Sequence, residues 1–180
     1  MILDPEADQR RFRRALGTFP TGVCIVTTRA SGGDNVGVTC SSFNAVSLAP
    51  PLILWSLGKN AYSRPSFEAA EFWAVHVLGA DQEDVSNKFS RAGSNKFAGI
   101  KTEVGLGGIP LLVDCSTRFQ CITEHTYDGG DHIIFVGRVL DFDDTHRSPL
   151  VFHSGRYARH RSETTSPSRS GVVDPSVTKA

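Results

Sequence analysis

The chain reads as a mainly-β protein, an antiparallel barrel carrying a few short helices, and three observations lead there. Short β-branched or aromatic runs recur along it, such as VCIVTT, LILWSL and IIFVG. The links between them have hairpin character: ASGGDN joins the first pair, and DGG joins two long runs, with Asp-Gly a strong corner signal. Helical spacing is confined to short stretches, too few for the crossover helices of a doubly wound parallel sheet. Closing an antiparallel sheet on itself removes its edges, so a barrel is the expected outcome.

In order, Asp4-Pro5 offers an N-cap carboxylate and a Pro at the first helical position. Phe12, Ala15, Leu16 and Phe19 then share one helical face, and Pro20-Thr21-Gly22 ends that helix. Residues 23–28 read as a buried strand, residues 30–35 as a turn, and VGVTCSSF as its hairpin partner. Pro50-Pro51 precedes a third strand at 52–57, because proline is barred from central strand positions. SRPSFEAA reads as a short helix and residues 71–78 as a fourth strand. DQEDVSNKF opens with acids and spaces Val85 and Phe89 helically, so it is a further helix. Residues 91–110 read as loop. The GLGG within them is followed by Ile109-Pro110 rather than a helix, so it is no dinucleotide fingerprint. Two strands, 116–127 and 132–142, flank the DGG corner, and 149–154 is a last short strand. The expected organisation is one domain over 1–158 and a flexible tail over 159–180, rich in Ser, Thr, Arg and Pro.

The bulk numbers exclude several classes of function. Lys+Arg and Asp+Glu are both 19, a formal net charge of zero, which argues against nucleic acid or an anionic membrane as partner. RRFRR at 10–14 is the nearest approach to a basic cluster and reads as a solvated helix face. No apolar run approaches the ~20 residues of a membrane helix, and the acidic N-terminus lacks a signal-peptide h-region. Cys24, Cys40, Cys115 and Cys121 show no ligand-like or C-x-x-C spacing, so free thiols in a cytoplasmic setting and no metal are expected.

Chemistry-bearing residues concentrate in four pieces. GVTCSSFNAVSLAPPLILWSLGKNAYS, at 37–63, places small hydroxyl and thiol groups between two β-rich runs, with a lone Lys after the second. Thr39, Cys40, Ser41 and Ser42 are readable as a water-facing strand end or as a cradle for phosphate and ribityl oxygens, with Lys59 supplying a cation. Cys40 has no histidine partner that would make it a nucleophile. SNKFS at 86–90 is a polar helix end with one Phe. Gly130-Asp131-His132 leads into IIFVG, where Asp131 either caps a turn or joins a site, and His132 supplies an imidazole able to donate near neutral pH. HSGRY closes the folded part with Arg156 and Tyr157, an anion partner and a stacking ring or a plain terminus. His76, His125, His146, His153 and His160 have no ligand-like spacing.

Together and in this order, the four pieces resemble the short-chain flavin reductases, the NAD(P)H:flavin oxidoreductase components of two-component monooxygenases. The resemblance runs from about Phe12 to Tyr157. It implies a split antiparallel β-barrel of the flavin-binding type, a homodimer with flavin at the subunit interface, FMN or FAD and NADH or NADPH as cofactors, and a transient monooxygenase partner. It implies that Thr39, Cys40, Ser41, Ser42 and Phe43 line the ribityl and ring side, and that Trp55 and Ser56 contact the ring. Lys59 and Ser63 would approach the phosphate, Lys88 and Phe89 the flavin tail, and Asp131 with His132 the paired rings, His132 being the catalytic candidate. Arg156 and Tyr157 would lie near the nicotinamide nucleotide. The rival expectations are a non-catalytic flavin- or heme-binding module on the same barrel, or a flavin-dependent oxidase of the pyridoxamine-phosphate type.

Overall fold

The structure, a computed structural model, describes residues 8–93 and 95–159. The helix start expected at Asp4-Pro5 lies outside the described residues, as does residue 160 onward of the expected tail. A helix α1 (Gln9–Gly17) and a two-residue strand β1 (Thr21–Gly22) lead into β2 (Cys24–Arg29), β3 (Asn35–Cys40), β4 (Asn44–Leu48) and β5 (Pro51–Gly58). After α2 (Arg64–Glu68), β6 (Phe72–Val77) and α3 (Glu83–Ser90) come β7 (Thr102–Val104), a single 3-10 turn and β8 (Pro110–Leu112). The long hairpin β9 (Thr117–Gly129) and β10 (His132–Asp144) precedes β11 (Leu150–His153) and β12 (Arg156–Arg159).

Seven strands form one antiparallel sheet in the order β3-β2-β6-β9-β10-β5-β4. Its two outermost strands are consecutive in the chain, joined by residues 41–43 alone. Laid flat, six inter-strand steps of about 4.8 Å would hold those edges roughly 29 Å apart. Three linking residues span at most about 14 Å. The sheet must therefore curl until β3 and β4 approach, and no ladder joins them among the described residues, which is a split barrel. Smaller sheets, β1-β11-β12 and β7-β8, cover its outside.

Strand alternation fills the interior. Cys24 and Val26 of β2, Ile53, Trp55 and Leu57 of β5, Trp73 and Val75 of β6, Cys121 of β9 and Phe135 of β10 form the central cluster, closed by Phe67 of α2. The opposite face of β2 carries Ile25, which with Val23, Leu78, Phe89 and Leu150 packs under α3 and β11. β2 is buried on both faces and reads as an unbroken apolar run for that reason. Gly37 is required where α3 crosses β3, because a Cβ there would stand 2.5 Å from the Phe89 ring.

The differences from the sequence reading have local causes. β4 was not foreseen, because NAVSL is an edge strand whose residues are mostly exposed and lack the apolar alternation that marks a strand. Residues 91–110, expected as loop, contain β7, whose three residues are all exposed. β1 and β12 pair with β11 through short registers that leave little sequence signature.

Candidate functional site

The site is organised by the end of β5. Its odd positions face the core and its even positions face out. Trp55 is fully buried, stacked on Phe135 at 4.9 Å and 16° and edge-on to Phe67 at 4.9 Å. The period of two turns this indole inward, and its buried Nε1–H has no partner among the described residues. Ser56, its neighbour, does face out, and beyond Leu54 the β4 side of β5 is open. The Ser42 side chain fills that gap, accepting from the Ser56 N–H at 2.9 Å and donating to the Ser56 carbonyl at 3.1 Å. Ser42 thus extends the β4–β5 ladder with a side chain, using its O–H and one of its two acceptor lone pairs.

The last residue of β5, Gly58, pairs with the first of β10, His132. The turn between β9 and β10 is tied to this end. Lys59 donates its backbone N–H to the Asp131 carbonyl at 2.9 Å and its Nζ to Asp128 Oδ2 at 2.6 Å. Asp128 Oδ1 accepts the Gly130 N–H at 2.9 Å, and Asp131 Oδ1 lies 2.7 Å from His132 Nδ1. The bond from Lys59, then that from Gly130, holds the Asp128 carboxyl below the usual carboxylate range. His132 does the same for Asp131. Lys59 therefore already has a carboxylate partner, Asp128, in the arrangement seen here.

A cleft of about 610 Å³ opens on the other side of the residues that follow Lys59. Its walls include Val36, Gly37 and Val38 of β3, the 60–63 turn with Ser63, and the chain after α3. Ser63 is the one expected cofactor residue in this lining. Ser66, Ser90, Arg91 and Lys96 also line it, and sequence reasoning missed them. Lys96 Nζ donates to the Gly37 and Phe89 carbonyls, at 3.1 and 2.9 Å, and burial pulls its pKa below the ordinary lysine value. Neutral carbonyls do not cancel its charge, so Lys96 and Arg91 stand beside hydroxyls in a cleft whose wall also holds Asp34, two cations to one carboxylate, which fits a phosphate-bearing ligand. From Val38 the same strand runs on to the link carrying Ser41 and Ser42, so cleft and β5 end lie in series along one piece of chain.

The remaining expected residues gather elsewhere or go inward. Thr39 Oγ1 donates to the Ser86 carbonyl at 2.7 Å, the Ser86 hydroxyl lies 2.9 Å from the Tyr157 hydroxyl, and Tyr157 donates to Asn87 Oδ1 at 3.0 Å. This network ties β3, α3 and β12 together. Arg156 beside it is exposed. Lys88 donates to the Ala98 carbonyl, and Phe89 is fully buried against Phe97 at 5.0 Å. Helical spacing turns Phe89 to the core. Cys40 packs toward the central cluster, where burial pushes its thiol up to about 11, so no thiolate nucleophile stands there. Phe43 is half-buried, stacked on Phe119 at 5.7 Å. Ser41 is exposed at the link.

His76 is a core histidine. It is fully buried, with Nδ1 3.0 Å from the Ile25 carbonyl and Nε2 accepting the Leu112 N–H at 3.0 Å. Burial first of all lowers its pKa to about 4, keeping it neutral. All four cysteines are free, and no group of potential metal ligands forms among the described residues.

Residues 16–161 match the family described as flavin reductase like domain. The chain is 41% identical over 152 residues to the FMN reductase (NADH) SmoA of Agrobacterium fabrum, covering 84% of this chain and 86% of that protein. It is 39% identical over 162 residues to the reductase subunit HsaB of a flavin-dependent monooxygenase of Rhodococcus jostii, covering 89% of this chain and 82% of that one. It spans 48% of the length of two longer relatives. Among solved structures, the NADH:FAD oxidoreductase of Streptomyces globisporus in complex with NAD and FAD fragments superposes with a TM-score of 0.83. The identity is 34%, over 91% of this chain and 99% of that one.

Proposed function

This chain belongs to the flavin reductase like family, and from that premise we propose that it is an NAD(P)H:flavin oxidoreductase supplying reduced flavin to a monooxygenase. Hydride passes from nicotinamide C4 to flavin N5, both nucleotides being substrates. The chain's own part is to hold two flat rings in contact and keep water out. The relatives named for this activity favour the reductase over a passive flavin- or heme-binding module and over a pyridoxamine-phosphate oxidase.

One observation carries the site assignment: the cleft with Lys96, Arg91, Ser63 and Ser66 is walled by β3, the strand whose chain leads through Ser41 to the Ser42–Ser56 junction on β5, and the end of β5 pairs Gly58 with His132. Lys96 and Arg91 hold the anionic tail of the flavin, and the hydroxyls accept and donate around it. Ser41 and the Ser56 backbone stand beside the ring. His132, with Nδ1 engaged by Asp131, presents its other nitrogen near Gly58. With the Nδ1 proton donated to Asp131, Nε2 donates in the imidazolium form, and that form favours the charge that reduced flavin gains. Arg156 and Tyr157 flank the nicotinamide nucleotide from β12.

The working unit is a homodimer. Support comes from the unpaired edge of β4 with Val46 and Leu48 exposed, from Phe142 at 66% exposure, and from α1, whose Phe12 and Leu16 are half exposed or more. Such apolar surface calls for a partner. No described helix is long and apolar enough to cross a membrane. Four unpaired cysteines support a cytoplasmic location.

The test is NADH and NADPH oxidation by purified protein, each with FMN and with FAD. Flavin-dependent oxidation of either nucleotide supports the assignment, and a flat trace in all four combinations rejects it.

A further inference from the structure

We propose that Lys59 and Asp128 form a latch that fixes the glycine turn between β9 and β10 and so aims His132, making both of them positioning residues for hydride transfer. This rests on the reductase reading above. The turn needs such a device. It contains Gly129-Gly130, and Gly130 sits at φ 80°, a conformation open to glycine and loosely held by itself. Lys59 grips the turn twice, through its N–H on the Asp131 carbonyl and its Nζ on Asp128. Asp128 uses both oxygens, one on Lys59 and one on the Gly130 N–H.

His132 depends on what is thereby held. Its Nδ1 meets Asp131, whose own carbonyl is the one Lys59 binds. Its Nε2 lies over Gly58, 3.8 Å from where a Cβ of residue 58 would stand. Gly58 immediately precedes Lys59, so the seat of the ring and the latch share one backbone segment. Each basic group at this end has a carboxylate of the same turn opposite it. A latch that only orders a turn acts on geometry, and small misplacements of a reacting environment are costly to rate.

Asp128→Asn keeps an oxygen for the Gly130 N–H but removes the ion pair, and Lys59→Met removes it from the other side. Each variant is expected to lower kcat by about threefold to tenfold. In each, the flavin Kd stays within about twofold, the double variant is no slower than the slower single one, and Lys59→Arg recovers at least about half the rate. Wild-type kcat in both single variants overturns the latch. So does a rise of about tenfold in flavin Kd for Lys59→Met with Asp128→Asn unchanged, because Lys59 is then a phosphate anchor. Backbone hydrogen exchange at Gly130 gives a second readout that needs no turnover. Faster exchange in Lys59→Met supports the latch, and an unchanged rate overturns it. A wild-type protein inert toward both nucleotides and both flavins rejects the reductase reading instead, and leaves the exchange result to judge the latch.

Discussion

Two lysines of the molecule are held in opposite ways. In the cleft, Lys96 is gripped by neutral carbonyls of Gly37 and Phe89. At the turn, Lys59 is gripped by the Asp128 carboxylate. A cation bound to carbonyls keeps its charge for an incoming anion, and one bound to a carboxylate has largely given it away. The same contrast separates the imidazoles: His132 is exposed and paired with an acid, while His76 is buried with both nitrogens on backbone groups. Residue type alone does not distinguish the two lysines or the two histidines. Their partners divide them into an anion site, a positioning latch, a ring neighbour and a piece of core.

The largest expected effect lies outside both regions and must be separated from either. His76 titrates near 4 in the fold against an ordinary 6.5, so the unfolded chain takes up its proton first as the pH falls. Its contribution to stability is complete above about 6.5 and is lost as the pH drops toward 4, a loss of roughly 3 kcal/mol. Chemical unfolding at pH 7 and pH 4 measures it, and His76→Gln should flatten the difference. Next comes His132→Ala, expected to slow hydride transfer by about thirtyfold while flavin Kd changes by less than about threefold. Anaerobic stopped-flow separates the two, and equal losses would return His132 to a structural role. Lys96→Met should show the crossed pattern, raising flavin Kd by about tenfold with kcat at saturating flavin nearly intact. That penalty should shrink as salt rises, which titrations at two ionic strengths check. The smallest effect belongs to Tyr157→Phe, which removes the hydroxyl linking Ser86 and Asn87 and should cost about 1 kcal/mol of stability.

Much of this was legible before the structure. The DGG corner, the buried run of β2 and the Pro50-Pro51 approach to β5 each carry a local signal, and they gave the hairpins and the barrel. β4 carried none, because an exposed edge strand needs no alternation. Within the proposed site, residue types drew attention to Ser63, which the structure places in the cleft, and to Ser56 and the Asp131–His132 pair at the end of β5. They could not tell that Trp55 faces inward, which depends on the register of β5, or that Ser42 fills a missing rung of the ladder. Ser90, Arg91 and Lys96 were overlooked inside a segment read as loop. A hydroxyl and two cations following a helix were the available signal, but only the fold brings them against β3. The partner of Lys59, Asp128, was not legible because it lies 69 residues away in sequence.

The most direct measurement is a crystal structure of the protein with FMN. The expected result places the phosphate within about 4 Å of Lys96 Nζ or the Arg91 guanidinium, with the Lys59–Asp128 pair intact. A phosphate bound by Lys59, with Asp128 displaced from it, would contradict the account.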